Sequence, residues 1–328
     1  MTELMPMVVS EESALPDAGL SLDVILPTYK RPELLKRTLT SLGAAPCPKG
    51  LTVQVWVIDN NSHDTTPEVV SEYQKDFPFP LHYRVETVQG LSPAVNAGIR
   101  AGKGDLVGMI NDDEEVDARW YEVIHRIFTT TGYSFVGGAC IPRWGGEKPE
   151  WVMPEFGGIV GWIEAGDLPR EYGPGFHGIL NGGNAVVRRE VFDKIGLYNT
   201  ALGRTNKGLL SCEDEEMFER LMASGFRGVY SPDLIILHYV PPERLTRRYH
   251  RRWSWGQGIS KGVLARTRPS GVVEVMGIPR WQIRQAMGGL VRAVKGKLGL
   301  APPTAAFEGE LRVWNLAGYI NGRHFYKQ

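Results

Sequence analysis

The chain has 328 residues, of which 42% are hydrophobic and 23% charged, so it is an ordinary soluble globular protein of one large or two modest domains. Its three cysteines, Cys47, Cys140 and Cys212, fit neither a disulfide framework nor a zinc site and favour the reducing cytoplasm. Apolar stretches stay short of the ~20 residues that a membrane-spanning helix needs, and residues 1–20, without the layout of a signal peptide, are predicted to form a flexible tail.

The net charge is zero but unevenly distributed along the chain. From Pro241 onward there are 16 Lys and Arg against 4 Asp and Glu, and no acidic residue lies between Glu274 and Glu308. An acidic body therefore carries a basic C-terminal part, which predicts different partners for the two parts.

Short apolar runs alternate with helical patterns four times in the first part of the chain. The runs at 22–26, 53–58, 81–85 and 106–110 are predicted as buried strands, and a helical pattern follows each of them. Such repeated βαβ units predict an α/β fold with a doubly wound, mostly parallel sheet.

Polar residues follow three of these strands directly: Thr28-Tyr29, Asp59-Asn60 and Asn111-Asp112-Asp113. Parallel strands end at the same edge of a sheet, and α/β proteins bind their ligands there. The carboxylates of Asp112 and Asp113 repel each other, and a divalent cation would relieve that repulsion; a solvated acidic turn is the alternative. Asp59 is placed to accept hydrogen bonds from a nucleobase or ribose.

The sequence lacks the glycine-rich signatures of the common nucleotide-binding folds. No Gly-x-Gly-x-x-Gly follows the first strand, and no Gly-x-x-x-x-Gly-Lys-Ser/Thr occurs. These absences argue against a dinucleotide-binding fold and against a nucleoside triphosphatase.

The middle of the chain breaks the alternation. Residues 137–183, rich in Gly, Pro and Trp, predict either a substrate loop or a loop folded over a hydrophobic patch. A short helix is predicted over 186–195, and a second helix begins with the acidic run after Ser211. Carboxylates in a first turn favour the helix dipole, and one of them can also serve as a general base.

Two short strands are predicted over 226–230 and 234–237, with His238 at the exit of the second. A single histidine in that position is more often structural than a ligand.

The basic C-terminal part contains two segments that suggest an anionic partner. Residues 247–253 combine arginines with aromatic rings, which suits a diphosphate or a membrane surface. Residues 280–298 predict a basic amphipathic helix that either lies on a membrane or docks on its own domain. No nucleic-acid-binding motif accompanies this charge, so a nucleic acid is not expected as a partner.

Several segments between residues 22 and 258 together carry a resemblance to one known family. In chain order they are residues 24–31, 57–65, 90–98, 110–113 and 183–189, with the pair Glu213-Asp214. They resemble the family-2 glycosyltransferases, inverting enzymes with the GT-A fold. The resemblance implies a GT-A domain over 21–240, with a Rossmann-like nucleotide-sugar-binding half (21–115) and an acceptor-binding half (116–240). A basic, mainly helical C-terminal extension (241–328) follows.

The resemblance also implies roles for individual residues. The nucleotide-sugar, a UDP-sugar in most of the family, would contact Pro27, Thr28, Tyr29, Arg31, Asp59, Asn61, Asn96, Asn111 and Asp112. Asp113, with His238 as an added ligand, would bind Mg²⁺ or Mn²⁺ bridging the donor diphosphate. Asp214 would be the catalytic base. The acceptor side would comprise Gly183, Asn184, Glu213 and Trp253.

The sequence departs from the family pattern at three positions. Asn111 stands where the metal motif usually begins with Asp, and Val95 stands where many members have Arg. Tyr249 replaces the Gln of processive synthases, so processivity is not inferred.

The expected activity is metal-dependent transfer of a sugar to a hydroxyl of a saccharide, a lipid-linked sugar or a small molecule. The protein would work in the cytoplasm or peripherally on the inner face of the membrane. A nucleotidyltransferase and a nucleotide-sugar-binding scaffold with a decayed site are the alternatives.

Overall fold

The computed structural model describes residues 19–178, 180–205, 208–267 and 271–327, the side chain of Glu155 excepted. Most of the predicted tail lies outside these residues, and β1 already begins at Leu20. The strands are β1 (Leu20–Thr28), β2 (Leu51–Asp59), β3 (Leu81–Val85), β4 (Leu106–Met109), β5 (Glu114–Val116), β6 (Phe135–Trp144), β7 (Arg170–Glu171), β8 (Ala185–Arg188), β9 (Gly228–Val240), β10 (Glu274–Val275) and β11 (Ile278–Pro279). The α-helices are α1 (Pro32–Ala44), α2 (Thr66–Tyr73), α3 (Leu91–Ala101), α4 (Trp120–Thr130), α5 (Gly157–Val160), α6 (Arg189–Ile195), α7 (Glu213–Ala223), α8 (Arg247–Leu264), α9 (Arg280–Lys297) and α10 (Pro303–His324).

One large sheet has the order β3-β2-β1-β4-β8-β6-β9-β5, with β7 paired to β9. The first four strands in this order are parallel to one another. β8 runs antiparallel to both β4 and β6, and β6 and β9 are parallel. This mostly parallel sheet with helices packed on it confirms the predicted α/β class.

β1 is covered on both faces, which explains why its sequence is a continuous apolar run. Leu22, Val24 and Leu26 belong to a core cluster that includes residues of α1 and α4. Ile25 belongs to a second cluster, which includes residues of α3. Successive side chains of a strand point to opposite faces, so a strand between two helical layers has no polar face.

The helix predicted over 186–195 is wrong in its first part. Ala185–Arg188 is β8, and only Arg189–Ile195 is helical. Val186 and Val187 are buried because β8 lies between β4 and β6 in the sheet. β-branched residues buried on both faces of a strand do not alternate with polar ones, so periodicity did not separate this strand from the helix that follows.

The two short strands predicted over 226–230 and 234–237 form one long strand, β9. The pairing register between β6 and β9 shifts between Gly138 and Ala139 of β6, so β9 contains a bulge but is not interrupted. His238 therefore lies within the strand, paired with Glu114 of β5, and not at its exit.

The segment 137–183 begins with β6, a strand that the glycine content concealed. Its tryptophans pack internally: Trp144 meets Trp162 edge to face, and Trp151 meets Phe307 of α10. The interpretation as a loop folded over a hydrophobic patch fits these rings. Gly158 and Gly161 of the same segment line the main cleft described below.

The C-terminal part is helical, as predicted. α8 and α10 pack so closely that a Cβ on Gly258 would lie 2.1 Å from the carbonyl oxygen of Asn315. Phe307 and Leu311 of α10 join Phe156 and Ile159 in a separate hydrophobic cluster. The extension thus rests on the middle of the chain, and the boundary proposed near residue 240 stays a prediction. Among the described helices, none combines the length and apolar character that crossing a bilayer requires.

Candidate active site

A cleft of about 700 Å³ opens where β1 and β4 end. Most of the residues expected to bind substrates line it, namely Pro27, Thr28, Tyr29, Arg31, Asn111, Asp112, Asp113, Gly183, Glu213, Asp214, His238 and Trp253. The residues that follow β1 and β4 converge because the carboxyl ends of parallel strands share one edge of the sheet.

Asp112 is held at the end of β1. Its Oδ2 accepts hydrogen bonds from Thr28 Oγ1 (2.8 Å) and from the backbone N of Tyr29 (3.4 Å). Its Oδ1 accepts from Arg31 Nη1 at 3.1 Å, and the same guanidinium nitrogen lies 3.0 Å from Asp113 Oδ2. Burial raises the pKa of Asp112, and Arg31 counteracts this. A single arginine from the turn after β1 therefore bridges both carboxylates.

Asp113 is surrounded by basic groups from distant parts of the chain. Besides Arg31, Arg244 Nη2 donates to its Oδ2 at 3.2 Å, and His238 Nε2 lies 3.7 Å away. Burial opposes ionisation of Asp113, but its neighbours His238, Arg244 and Arg31 outweigh burial and hold its pKa well below the ordinary range. Asp113 is thus an anion at neutral pH.

His238 has a defined tautomer. Its Nδ1 lies 2.9 Å from the carbonyl oxygen of Val160, which can only accept, so Nδ1 carries the proton. Its Nε2 accepts from Arg244 Nη1 at 3.1 Å. The lone pair of Nε2 is thus engaged by Arg244, so this nitrogen could bind a metal only after Arg244 has moved away. The bond from Nδ1 to a backbone carbonyl is the arrangement typical of a metal-binding histidine.

The donor set fits a divalent cation only with help from a substrate. Within the described part of the chain, no three His, Cys, Asp or Glu side chains come together as a metal site. Asp113 and His238 supply an oxygen and a nitrogen, and no described residue hydrogen-bonds to Asp113 Oδ1. Mg²⁺ is typically bound by one or two carboxylates together with substrate phosphates, so a two-residue site is compatible with that chemistry.

Asn111 and Glu114 form a second pair at this edge. Glu114 accepts from the Asn111 backbone N (2.7 Å) and from its Nδ2 (3.0 Å). Burial and the charge of Asp113 raise the pKa of Glu114 well above the ordinary range. Asn111 is therefore engaged in holding the turn together.

The acidic pair at the start of α7 lies in the same cleft. Burial raises the pKa of Asp214 to about 6, although the backbone amide of Gly182 and the charge of Arg204 oppose the rise. Burial and the charge of Asp214 raise the pKa of Glu213 to about 8. The Glu213 Oε2 atom is buried and has no hydrogen-bond partner among the described residues.

Gly182 and Gly183 lie directly against two carboxylates of the cleft. A Cβ on Gly182 would lie 2.2 Å from Asp214 Oδ1, and a Cβ on Gly183 would lie 2.0 Å from Glu114 Oε1. Real Cβ atoms do not approach oxygen this closely, so any other residue at either position would have to displace the carboxylate.

Four predicted site residues do not line the cleft: Asp59, Asn61, Asn96 and Asn184. The roles given to them stay predictions, and three have their polar atoms engaged inside the protein. Asp59 accepts from Ser62 and from Tyr83 Oη (2.7 Å).

The other two are asparagines with structural bonds. Asn96 exchanges two hydrogen bonds with the backbone of Tyr198. Asn184 donates to the carbonyls of Ala139 and Leu234 and accepts from Trp120 Nε1. Their side chains connect the layers beneath the cleft.

Sequence reasoning missed several residues of the cleft wall. Arg204, Arg244, Gln257 and Lys261 all line it. Arg244 lies in a 3₁₀ turn after β9 and is buried. The sequence does not distinguish Arg244 from the many other arginines of this basic segment. Its burial beside Asp113 identifies it in the structure.

The sheet order, the acidic strand ends and the acidic helix start define a class, the GT-A glycosyltransferases. The mannosyltransferase PcManGT from Pyrobaculum calidifontis, solved with GDP-mannose and Mn²⁺, is 17% identical with a TM-score of 0.61 over 93% of this chain and 88% of that one. GalNAc-T7, solved with UDP, GalNAc and Mn²⁺, is 18% identical with a TM-score of 0.55 over 77% of this chain and 52% of that one. At these identities the likeness shows the fold.

The chain belongs to glycosyltransferase family 2. The model of that family, described as Glycosyl transferase family 2, matches residues 23–196. The resemblance inferred from the sequence is thereby confirmed, and the protein is a glycosyltransferase. Asp214, His238 and Arg244 lie beyond the matched residues.

Two curated relatives match most of their own length. The succinoglycan biosynthesis protein ExoM of Rhizobium meliloti is 25% identical over 80% of this chain and 81% of its own. The glucosyl-dolichyl phosphate glucuronosyltransferase of Haloferax volcanii is 28% identical over 75% of this chain and 77% of its own.

Proposed function

We propose that this glycosyltransferase moves a sugar from a nucleoside diphosphate sugar to an acceptor hydroxyl, with inversion at the anomeric carbon. The observation that carries the proposal is the presence, in one cleft, of an arginine-bound Asp112–Asp113 pair and of a half-buried acid, Asp214, with a raised pKa. The arginine-bound pair can stabilise a charged leaving group, and Asp214 can accept the proton of an attacking hydroxyl.

On the donor side, the residues neutralise the charge that grows on the departing diphosphate. Arg31 and Arg244 already converge on Asp113, and both line the cleft where that diphosphate would lie. Asp113 and His238 would hold Mg²⁺ or Mn²⁺, which supplies Lewis-acid stabilisation of the same charge when bound. Thr28 and Tyr29 fix the carboxylate of Asp112 so that it keeps its place as ligands enter.

On the acceptor side, Asp214 takes the proton of the hydroxyl as that oxygen attacks the anomeric carbon. A pKa of about 6 leaves the carboxylate ionised at neutral pH while making it a stronger base than an ordinary aspartate. Displacement from the face opposite the leaving group, assisted by one base, inverts the configuration. Trp253, half-buried on the cleft wall, offers an aromatic face to a sugar ring.

For the substrates, we infer a UDP-sugar donor and a saccharide or lipid-linked saccharide acceptor, in polysaccharide or glycolipid biosynthesis. The name of the Rhizobium relative concerns succinoglycan, and that of the Haloferax relative concerns a dolichyl phosphate substrate. A Campylobacter jejuni relative, 28% identical over 42% of each chain, is named for an undecaprenol-linked acceptor. These names support the acceptor class.

We further propose that the protein lies peripherally on an anionic membrane, at its cytoplasmic face. α9 contacts α10 closely where Gly289 meets Gly309, and it leaves a row of apolar side chains exposed: Met287, Leu290, Val291, Val294 and Leu298. Basic residues accompany this row, and the same helix contains no acidic residue. An exposed apolar row with basic neighbours is typical of a helix lying in a lipid interface.

Binding to vesicles tests the membrane proposal. We expect co-sedimentation with phosphatidylglycerol vesicles, weaker binding to phosphatidylcholine, and loss of binding in the double variant Leu290→Glu/Val294→Glu. The matched variant Val88→Glu/Leu168→Glu changes two exposed apolar residues elsewhere and should bind normally. Equal binding of both variants would refute the proposal.

The donor proposal is tested by thermal shift with a panel of nucleoside diphosphates, each with and without Mn²⁺. A ligand that binds only the folded state raises the melting temperature by mass action. We expect one nucleotide to do so in a metal-dependent manner and the metal effect to vanish in Asp113→Ala. Slow hydrolysis of the matching nucleotide-sugar would then support an enzyme, whereas tight binding without hydrolysis or transfer would support the scaffold alternative.

A further inference from the structure

α8 presents different residues to two cavities. Trp253, Gln257 and Lys261 line the main cleft. A second cavity of about 510 Å³ lies on another face of the helix, and its walls include Arg248, Arg251, Arg252, Trp255, Trp314 and Leu209. Four of these residues, Arg248, Arg251, Arg252 and Trp255, are spaced i, i+3, i+4 and i+7 along α8, which places them on one face of the helix.

The second cavity carries uncompensated positive charge. Arg251 is paired with Glu310 through two hydrogen bonds, of 2.6 and 3.0 Å. Arg248 and Arg252 are exposed and form no hydrogen bond or ion pair with the described residues. Two unpaired guanidinium groups on one concave wall match a phosphate group, which arginine binds through paired hydrogen bonds.

Aromatic rings stand beside these arginines. Trp255 and Trp314 meet edge to face with their centroids 6.1 Å apart, and Trp314 is 40% exposed. Flat apolar surface next to cationic groups suits a ligand that joins a phosphate to a sugar ring or a hydrocarbon chain.

The two cavities adjoin each other at a short segment before α7. Gly208 and Leu209 line both cavities. α8 packs directly on this segment, since a Cβ on Gly256 would lie 2.2 Å from the carbonyl oxygen of Leu209. A ligand held in the second cavity therefore lies next to the main cleft.

We propose that the second cavity binds the phosphate of a phosphorylated acceptor while the hydroxyl of that acceptor extends into the main cleft. This inference rests on the proposed function and specifies its acceptor as a saccharide bearing a phosphate or diphosphate. The donor diphosphate does not require this cavity, because Arg31 and Arg244 serve it in the main cleft. The phosphate belongs either to a lipid carrier or to a soluble glycan, and the experiment separates the two sources.

Isothermal titration calorimetry of the full chain with two probes tests the proposal. Geranylgeranyl diphosphate in detergent micelles represents a lipid-linked phosphate, and glucose 1-phosphate represents a soluble one. A saturating nucleoside diphosphate keeps both probes out of the main cleft. We expect at least one probe to bind and its affinity to fall about tenfold or more in Arg248→Gln/Arg252→Gln, because each hydrogen bond to a charged group contributes substantially. Binding of the lipid probe alone would assign the phosphate to a lipid carrier.

The matched control is Lys75→Gln/Arg84→Gln, which removes the same charge from exposed positions outside both cavities. It should bind like the wild type. Failure of both probes to bind the wild type, or equal binding by both double variants, would overturn the proposal. Hydrolysis of the donor by Arg248→Gln/Arg252→Gln separates this question from the proposed function, since hydrolysis needs only the main cleft. Loss of acceptor binding with retained hydrolysis would support both.

Discussion

Replacement of Asp214 by Asn is the most direct test of the catalytic proposal. The amide keeps the size of the side chain but cannot take a proton at neutral pH. General base catalysis typically contributes about 10²–10⁴-fold, so kcat should fall by that factor. The melting temperature shift with nucleoside diphosphate should stay as in the wild type, because Arg31, Asp113 and His238 are untouched.

The pH dependence supplies the second half of this test. Only the ionised carboxylate accepts a proton, and burial raises the pKa of Asp214 to about 6. Activity of the wild type should therefore be full above this pH and fall as the pH drops through it, by about tenfold in kcat/KM for each further unit. Initial rates of transfer measured from acid to neutral pH would show this decline, and the residual activity of Asp214→Asn should lack it.

The control for both measurements is Glu215→Gln, which removes a neighbouring carboxylate from the same helical turn. Any effect of the helix dipole or of net charge would appear in this variant as well. Near-normal turnover by Asp214→Asn, or an unchanged acid decline in that variant, would refute the assignment of the base.

Three further predictions concern the surroundings of the site. Gly182→Ala should lower kcat about 100-fold, because the added methyl would lie 2.2 Å from Asp214 Oδ1 and displace the proposed base. Gly132→Ala, which adds a methyl in open space, should leave kcat unchanged, and steady-state rates decide this. Arg244→Gln should raise KM for the donor about tenfold or more through loss of a charged hydrogen bond, and an unchanged KM would remove Arg244 from the donor site. Asp23→Ala should lower the free energy of unfolding by about 3–5 kcal/mol, since it leaves the arginine of a buried ion pair without its partner, while the exposed Asp233→Ala should cost less than about 1 kcal/mol; urea unfolding measures both.

The ion pair in the last of these predictions also explains part of the fold. Arg189, at the start of α6, donates to Asp23 of β1 and to the carbonyls of Gly104 and Ile99. Asp23 is completely buried and also accepts from Gln54 and Trp56 of β2. One carboxylate thus connects the first strand to an element far away in the chain.

Most of the first half of the fold was predictable from sequence because β1, β2 and β3 are each followed by a helix, although the short β5 between β4 and α4 was not predicted. The limits of β3 agree with the predicted 81–85, and β1, β2 and β4 agree within a few residues. The prediction failed where strands of distant origin meet. β8 pairs with β4 and β6, and nothing in its local pattern distinguishes it from the start of a helix.

The candidate site likewise contains residues that the sequence predicts and residues that it does not. Asp112, Asp113 and Asp214 were predictable because each stands at the end or start of an element, where the pattern itself changes. Arg244 was not, because its importance comes from burial against Asp113, which depends on how the C-terminal part folds back. The acceptor role of Asn184 was implied by the family resemblance and stays a prediction, and its side chain donates to two backbone carbonyls beneath the cleft.

Asp113 Oδ2 receives one arginine from the turn after the first strand and one from the turn after the last strand of the sheet. The donor site is consequently assembled from two segments that are far apart in the chain. Without Arg244, the acidic pair would keep only one of these two arginines. Proteolysis between β9 and this turn should therefore abolish sugar transfer even though every strand of the large sheet is retained.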